Sequence, residues 1–450
     1  MPCGTATDLW MRPYFVSFAS LLMAASVVSA KEKLHTFKKI QLSNQFWSEG
    51  ASFGDFNHDG KMDIVSGPYW YEGPDFTVKH EFYPATESFK KKNEDGKEIV
   101  IPGFEGAQGT VNTYSKNFIA FTYDFNGDGW TDILVLGFPG EASWWFENPK
   151  GKEGPWVRHT AIDVTDNESP TFGDLTGDGK PEIICSSGGF MGYATPDWNN
   201  PTAKWTFHKI SEDKHYHKFT HGLGFGDVNG DGRKDILEKD GWYEQPASLA
   251  GDPIWKFHPF QFAKQGGSQM YVYDVNGDGR PDVITGLWAH GYGLVWYEQL
   301  KDKDAKGEIQ FKQHTILEAA GKPNEYGVAF SQLHSVALAD MDGDGLLDIV
   351  TGKRFWAHGK NGPDPDSNGA AVLYWFKLVR GKNHTASFVP YKIDDNSGVG
   401  TQVTVGDVNG DGLPDVVVGN KKGTFVHLQS VTKVSQEEYQ AAQPKKVETK

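Results

Sequence analysis

The chain has 450 residues, with 53 glycines and 14% aromatic residues, a composition that favours tight turns and β packing over long helices. Its net charge of −15 argues against a nucleic-acid partner, because phosphate binding needs a basic surface. Only Cys3 and Cys185 occur, so no disulfide framework is expected.

At the N-terminus, Arg12 precedes an apolar run from Tyr14 to Val28. Val28-Ser29-Ala30 then has the small-residue pattern of a cleavage site. Residues 1–30 therefore read as an export signal, with Met11 an alternative start, and Cys3 is expected to leave with it. A periplasmic or extracellular location follows. The aromatic-x-x-apolar segment Phe37–Ile40 is expected to be a strand.

From Asp55 onward one acidic pattern, D-x-[ND]-x-D-G-x-x-D, recurs seven times, with starts 47 to 69 residues apart. The first copy offers Asp55, Asn57, Asp59 and Asp63, and the second Asp124, Asn126, Asp128 and Asp132. The third departs from the pattern with Asp174, Thr176, Asp178 and Glu182, and is expected to bind more weakly. The fourth has Asp227, Asn229, Asp231 and Asp235, and the fifth Asp274, Asn276, Asp278 and Asp282. The sixth has Asp340, Asp342, Asp344 and Asp348, and the seventh Asp407, Asn409, Asp411 and Asp415. Three or four side-chain oxygens within nine residues suit calcium, which takes about 6–8 oxygen ligands. Up to seven calcium ions are expected. The sixth-position glycine, such as Gly60 or Gly279, permits the turn that folds the carboxylates inward.

Each period holds the same four strand candidates. One enters the loop, one leaves it (DIVSG, DILVLG, DVITG, DIVTG, DVVVG), and a third carries an aromatic cluster such as Trp70-Tyr71-Glu72 or Trp296-Tyr297-Glu298. The fourth ends in a histidine: His159, His208, His258, His314. Four strands per period make one propeller blade. The expected fold is all-β, a seven-bladed propeller over residues 31–432. After the seventh loop only one further strand follows, so Phe37–Ile40 is expected to complete the last blade and close the ring. Segments 84–117, 300–330 and 359–385 exceed what a blade needs and are expected to be face loops. The polar tail 433–450 is expected to be disordered.

The F-G-D entry strand, the acidic loop and the D-[IV]-V-x-G exit strand resemble FG-GAP repeats, also called VCBS repeats, as in integrin α-chain propellers. The resemblance spans roughly residues 35–430 and implies a calcium-binding propeller. The W-A-H segments and the run His334-Ser335-Val336-Ala337-Leu338-Ala339-Asp340 are similar to the propeller part of fungal aldos-2-ulose dehydratases, without that enzyme's additional domains.

Entry strands start, and exit strands end, on the face opposite the loops. Reading six residues before each loop gives Glu49, Phe118, Glu168, His221, Ser268, His334 and Thr401. The exit strands add Leu287-Trp288-Ala289-His290 and Lys353-Arg354-Phe355-Trp356-Ala357-His358. The histidines that recur in every period read as structural. His221, His334, His290 and His358 do not recur, and departures from a repeat tend to mark function. With Glu49, Glu168, Lys353 and Arg354 they are the candidate catalytic group. His221 and His334 are candidates for base or metal ligand, and with a carboxylate they offer a place for an additional divalent metal at the channel mouth. Lys353 or Arg354 would stabilise an enolate.

Two readings stay open. One is a sugar lyase or dehydratase, a carbon–oxygen lyase. The other is a non-catalytic propeller presenting its face to a glycan or protein, as an adhesion protein does. A monomer is expected in either case. No H-E-x-x-H or G-x-S-x-G motif is present; His80-Glu81 lacks the second histidine of the former.

Overall fold

The computed structural model describes residues 31–85, 88–102, 114–359 and 361–448. The expected export signal, and part of the 84–117 insertion, lie outside them. Among the described residues the fold is all-β, with a 3₁₀ turn at Lys382–His384 and one short α-helix near the C-terminus. Strands Ser52–Gly54, Asp63–Ser66, Tyr69–Tyr71 and Lys79–Glu81 form an antiparallel meander. The acidic loop fills the turn between its first two strands, and the same arrangement follows at every later loop. Two joins fuse neighbouring meanders. The 17-residue strand Val157–Gly173 ends one meander and begins the next, bending where its register shifts between Asp166 and Thr171. Leu223–Gly226 pairs in parallel with Gln269–Tyr273 and makes an eight-stranded sheet.

The chain ends meet. Glu32–Ser43 pairs antiparallel with Gly423–Val434, with Phe37 opposite Gln429 and Ile40 opposite Val426. It takes the outer place in the sheet that holds Val403–Gly406 and Asp415–Asn420. One sheet is thus built from segments near both ends of the sequence, with Glu32–Ser43 as its edge strand.

The core lies between neighbouring sheets. Phe56, Val65, Trp70 and Phe82 of the first meander pack on Ala120, Ile133, Val135, Phe146 and Trp156 of the second. The exit strands are buried on both faces, which explains their unbroken Ile-Val character. The recurring histidines belong to this packing. His80 stacks on Trp70, His159 on Trp145, His258 on Trp242 and His314 on Trp296, at centroid distances of 4.0 to 4.4 Å. Each also meets the glutamate of the preceding aromatic cluster: Glu72, Glu147, Glu244 or Glu298, at 2.6 to 2.9 Å. His208 departs from this, stacking on Tyr193 and pairing with Thr195 and Asp252.

Two segments differ from expectation. The tail forms a helix, Gln436–Ala442, where disorder was expected from its polarity. Its capping box satisfies the exposed amide ends: Ser435 Oγ accepts from Glu438 N, and Ser435 N donates to the Glu438 carboxylate. Tyr391 Oη then donates to Gln443, and Val447 N to Glu325 O, which tie the tail to the sheets. Within 84–117, the strands Ser88–Lys92 and Glu98–Pro102 pair as a hairpin. Among the described residues no helix is long and apolar enough to cross a membrane.

Candidate functional site

At the loops, backbone and carboxylates organise each other. Asp55 accepts amide hydrogens from Asp59 and Gly60, and Asp124 accepts from Asp128 and Gly129. Asp227, Asp274, Asp340 and Asp407 repeat this pattern. The third-position side chains of Asn57, Asn126, Asn229, Asn276 and Asn409 accept from the fifth-position amides of Asp59, Asp128, Asp231, Asp278 and Asp411. Gly60 and Gly279 have φ of 83°, in the left-handed region the turn requires.

The ninth residue has a second task besides its place in the loop. One oxygen of Asp132 accepts from Phe125 N and the other from Asn148 N, fastening the loop to the third strand. Asp63, Asp235, Asp282, Asp348 and Asp415 do the same. Burial, helped by neighbouring carboxylates, pushes Asp132 up to about 7 and Asp348 up to about 8. The third loop lacks the tie to the third strand. Glu182 accepts from Leu175 N and Thr176 N, and Thr176 Oγ1 donates back to Glu182. Its Asp174 faces Lys234.

The donor sets are all oxygen, as calcium requires. In the sixth loop, ligand atoms of Asp340, Asp342 and Asp344 lie within 4.8 Å of one another. Lys377 pairs with Asp342 and Asp344.

At the opposite ends of the inner strands the unrepeated side chains gather. Glu49, Glu168, His221 and His334 lie just before the loop-entering strand segments, and Arg354 and His290 just after exit strands. Arg354 is fully buried. Its Nε donates to Glu49 Oε2 at 3.1 Å, its Nη2 lies 2.9 Å from Glu49 Oε1, and its Nη1 lies 3.5 Å from Glu168 Oε2. Desolvation alone would weaken a buried guanidinium, but the two carboxylates outweigh it and hold Arg354 above its usual range. Burial would raise Glu168 too; His221 and Arg354 instead bring it down to about 2. This pairing corrects one expectation. Arg354 is committed to two carboxylates and shielded from solvent, so it positions the acids and cannot grip a substrate. Lys353 is also misassigned to the cluster: its Nζ donates to Ser331 Oγ at 2.6 Å and lies 3.7 Å from Asp366.

The imidazoles meet. The ring centroids of His221, His290 and His334 are 4.8, 5.6 and 4.6 Å apart, with interplanar angles of 70° to 89°. His334 is 1% exposed and His221 7%. Desolvation, then the charge of Arg354, holds His334 well below its ordinary value; burial lowers His290 as well. His358 is different. Its side chain is 42% exposed, it stacks on His290 at 4.4 Å, and its Nδ1 lies 2.9 and 3.1 Å from the two oxygens of Asp364. Asp364 also lies 3.5 Å from His290 Nδ1. The two histidines outweigh its burial and hold its carboxyl well below the usual range.

Asp364 and Lys421 were not singled out from sequence. Asp364 lies in an insertion and has no repeat position to mark it. Lys421 was legible, because it follows the seventh exit strand as Arg354 follows the sixth. Its buried ammonium lies 3.9 Å from Glu49, and burial lowers it to about 8. Of the W-A-H tryptophans, Trp288 is exposed and Trp356 is buried against Phe355.

The FG-GAP-like repeat profile matches residues 124–185 and 274–351, and the FG-GAP repeat profile matches residues 399–433. The chain therefore carries FG-GAP-type repeats over these residues. No curated protein sequence matches it. Among solved structures, an Agrocybe aegerita lectin is 17% identical over 73% of this chain and 83% of its own, with a TM-score of 0.40. A rhamnogalacturonan lyase of Bacillus licheniformis is 14% identical over 89% of this chain and 72% of its own, with a TM-score of 0.37. The Photorhabdus luminescens Tc holotoxin pore is 14% identical over 83% of this chain, at a TM-score of 0.36, and this chain spans only 18% of the toxin chain. At such identities and scores none of these likenesses bears on activity.

Proposed function

We propose that this is an exported, closed, seven-bladed propeller, clamped by calcium at its acidic loops, that acts as a lyase on an acidic or keto sugar at the axial end opposite those loops. The observation that carries the reading is the His358–Asp364 pair at the mouth of an otherwise buried polar cluster. Asp364 fixes His358 with Nδ1 toward the carboxylate, which leaves Nε2 free to accept a proton. A half-exposed, oriented imidazole suits a general base. In the step proposed, His358 takes the proton next to a carboxylate or carbonyl. The electron pair forms a C=C bond, and the C–O bond one carbon further on breaks. The departing oxygen takes up a proton, so the products are an unsaturated sugar and an alcohol or water. Trp288, exposed two residues from His290, would stack on the sugar ring.

The test is incubation of the pure protein with uronic-acid glycans and keto-sugars while new ultraviolet absorbance is followed. A rising signal that disappears in His358→Ala supports the reading. Binding without any unsaturated product would leave the adhesion-type alternative.

A further inference from the structure

We propose that His221, His290 and His334 form a three-imidazole site for a zinc-class divalent ion, chemically distinct from the calcium loops. Their ligand atoms all lie within 4.8 Å of one another. Three rings around a tetrahedral ion, each nitrogen about 2.0–2.1 Å from the metal, would have centroids about 5 Å apart. The observed separations of 4.8, 5.6 and 4.6 Å bracket that figure. The rings are edge-on to one another, an arrangement that three imidazoles on one ion can adopt. His358 stacks on His290 at 4.4 Å, with an interplanar angle of 23°.

The surroundings of each ring point the same way. A ligating histidine usually turns its second nitrogen toward a carboxylate or carbonyl. Here Asp364 is 3.5 Å from His290 Nδ1, Gln332 O is 3.4 Å from His334 Nδ1, and Glu168 is 3.4 Å from His221 Nε2. His334 Nε2 is buried and has no hydrogen-bond partner in the protein. Leaving such a buried nitrogen unpaired is unfavourable, and an ion would supply the missing partner. Glu49, Glu168 and Asp364 outnumber Arg354 and Lys421 by one charge, so the pocket favours a cation. Three imidazoles suit zinc, copper, iron or nickel over calcium or magnesium. Three protein ligands also leave a fourth position for water or a substrate oxygen. If the lyase reading holds, that position would take the sugar carboxylate or carbonyl oxygen; the metal site itself does not depend on it.

The experiment uses the full chain with its calcium loops filled. After equilibration with zinc chloride and dialysis into calcium buffer, elemental analysis should find one zinc per chain beyond the calcium. His221→Ala, His290→Ala and His334→Ala should each lower retained zinc at least tenfold and leave the calcium content unchanged. Should a variant misfold, cobalt(II) added to the wild-type chain decides. A strong visible band of a four-coordinate ion is expected, and only the weak spectrum of six-coordinate cobalt would overturn the site. So would zinc retention that the three variants do not alter, or none in the folded wild-type chain. Bound zinc with no unsaturated product from any sugar would keep the site and sink the lyase reading.

Discussion

The two ends of the inner strands obey opposite rules. At the loop end, six of the seven copies of one motif use near-identical hydrogen bonds and are anchored to the third strand of their own sheet, and only the third copy departs. At the other end almost nothing repeats: a glutamate, a histidine, an arginine and a lysine each come from a different meander and find their partners across the axis. Arg354 and Glu49 are 305 residues apart in sequence, yet they form a buried pair. A repeated end can lose one member and keep its design. An end assembled from single contributions cannot.

That contrast can be tested from its largest consequence downward. Calcium removal should act on every loop at once. At about a hundredfold excess over its dissociation constant each bound ion contributes about 2.7 kcal/mol, so chelation should lower the melting temperature markedly, and an unchanged melt would remove calcium from the account. Arg354→Ala comes next. It leaves Glu49 and Glu168 buried without their cation and should cost about 3–5 kcal/mol in denaturant unfolding. A near-neutral result would mean that the pair lies in solvent-accessible space. His358→Ala should do the reverse, leaving the melting temperature within a few degrees while product formation falls about 10²–10⁴-fold. Equal losses of stability and turnover would make His358 a packing residue.

Smaller effects distinguish one loop from another. Asp132→Asn puts an amide against a backbone N–H that now donates to a carboxylate, and should cost about 1–3 kcal/mol. Glu182→Gln should cost less, because Glu182 does not fasten its loop to the third strand; parallel unfolding curves would reveal the order. The last effect is on pH. His427 is buried with neither ring nitrogen hydrogen-bonded, and desolvation lowers it to about 4. Between its ordinary 6.5 and about 4 the unfolded chain takes up a proton that the folded chain refuses. The His427 contribution should therefore be complete above about 6.5 and be lost as the pH drops through this window. His427→Leu should flatten the slope of melting temperature against pH. His334 and His290, shifted in the same direction, keep part of it.

Much of the architecture was legible because it is local and repeated. The acidic nonapeptide marks a turn between two strands, the Ile-Val runs mark exit strands buried on both faces, and the Trp–Glu–His recurrence marks a stacked, hydrogen-bonded pair. The position of Glu49, Glu168, His221 and His334 at one end followed from counting back along entry strands. The tail misled, since polarity alone does not show that Ser435 and Glu438 can cap a helix or that Tyr391 waits to hold it. The roles at the axis were less visible. Arg354 and His358 sit four residues apart in one segment and look equally able to touch a substrate, yet one is sealed between two acids and the other is half exposed.

The sequence by itself determined the strand content, the turn at each acidic loop, the structural histidines and the end of the fold at which the unrepeated residues would lie, because each of these is set by spacing within a few residues. Only the tertiary structure decided that Asp364 orients His358, that Lys353 turns away to Ser331, and that three imidazoles from separate meanders face one another. Those facts depend on distances between segments far apart in the chain, and burial there determines which charged group remains free to act.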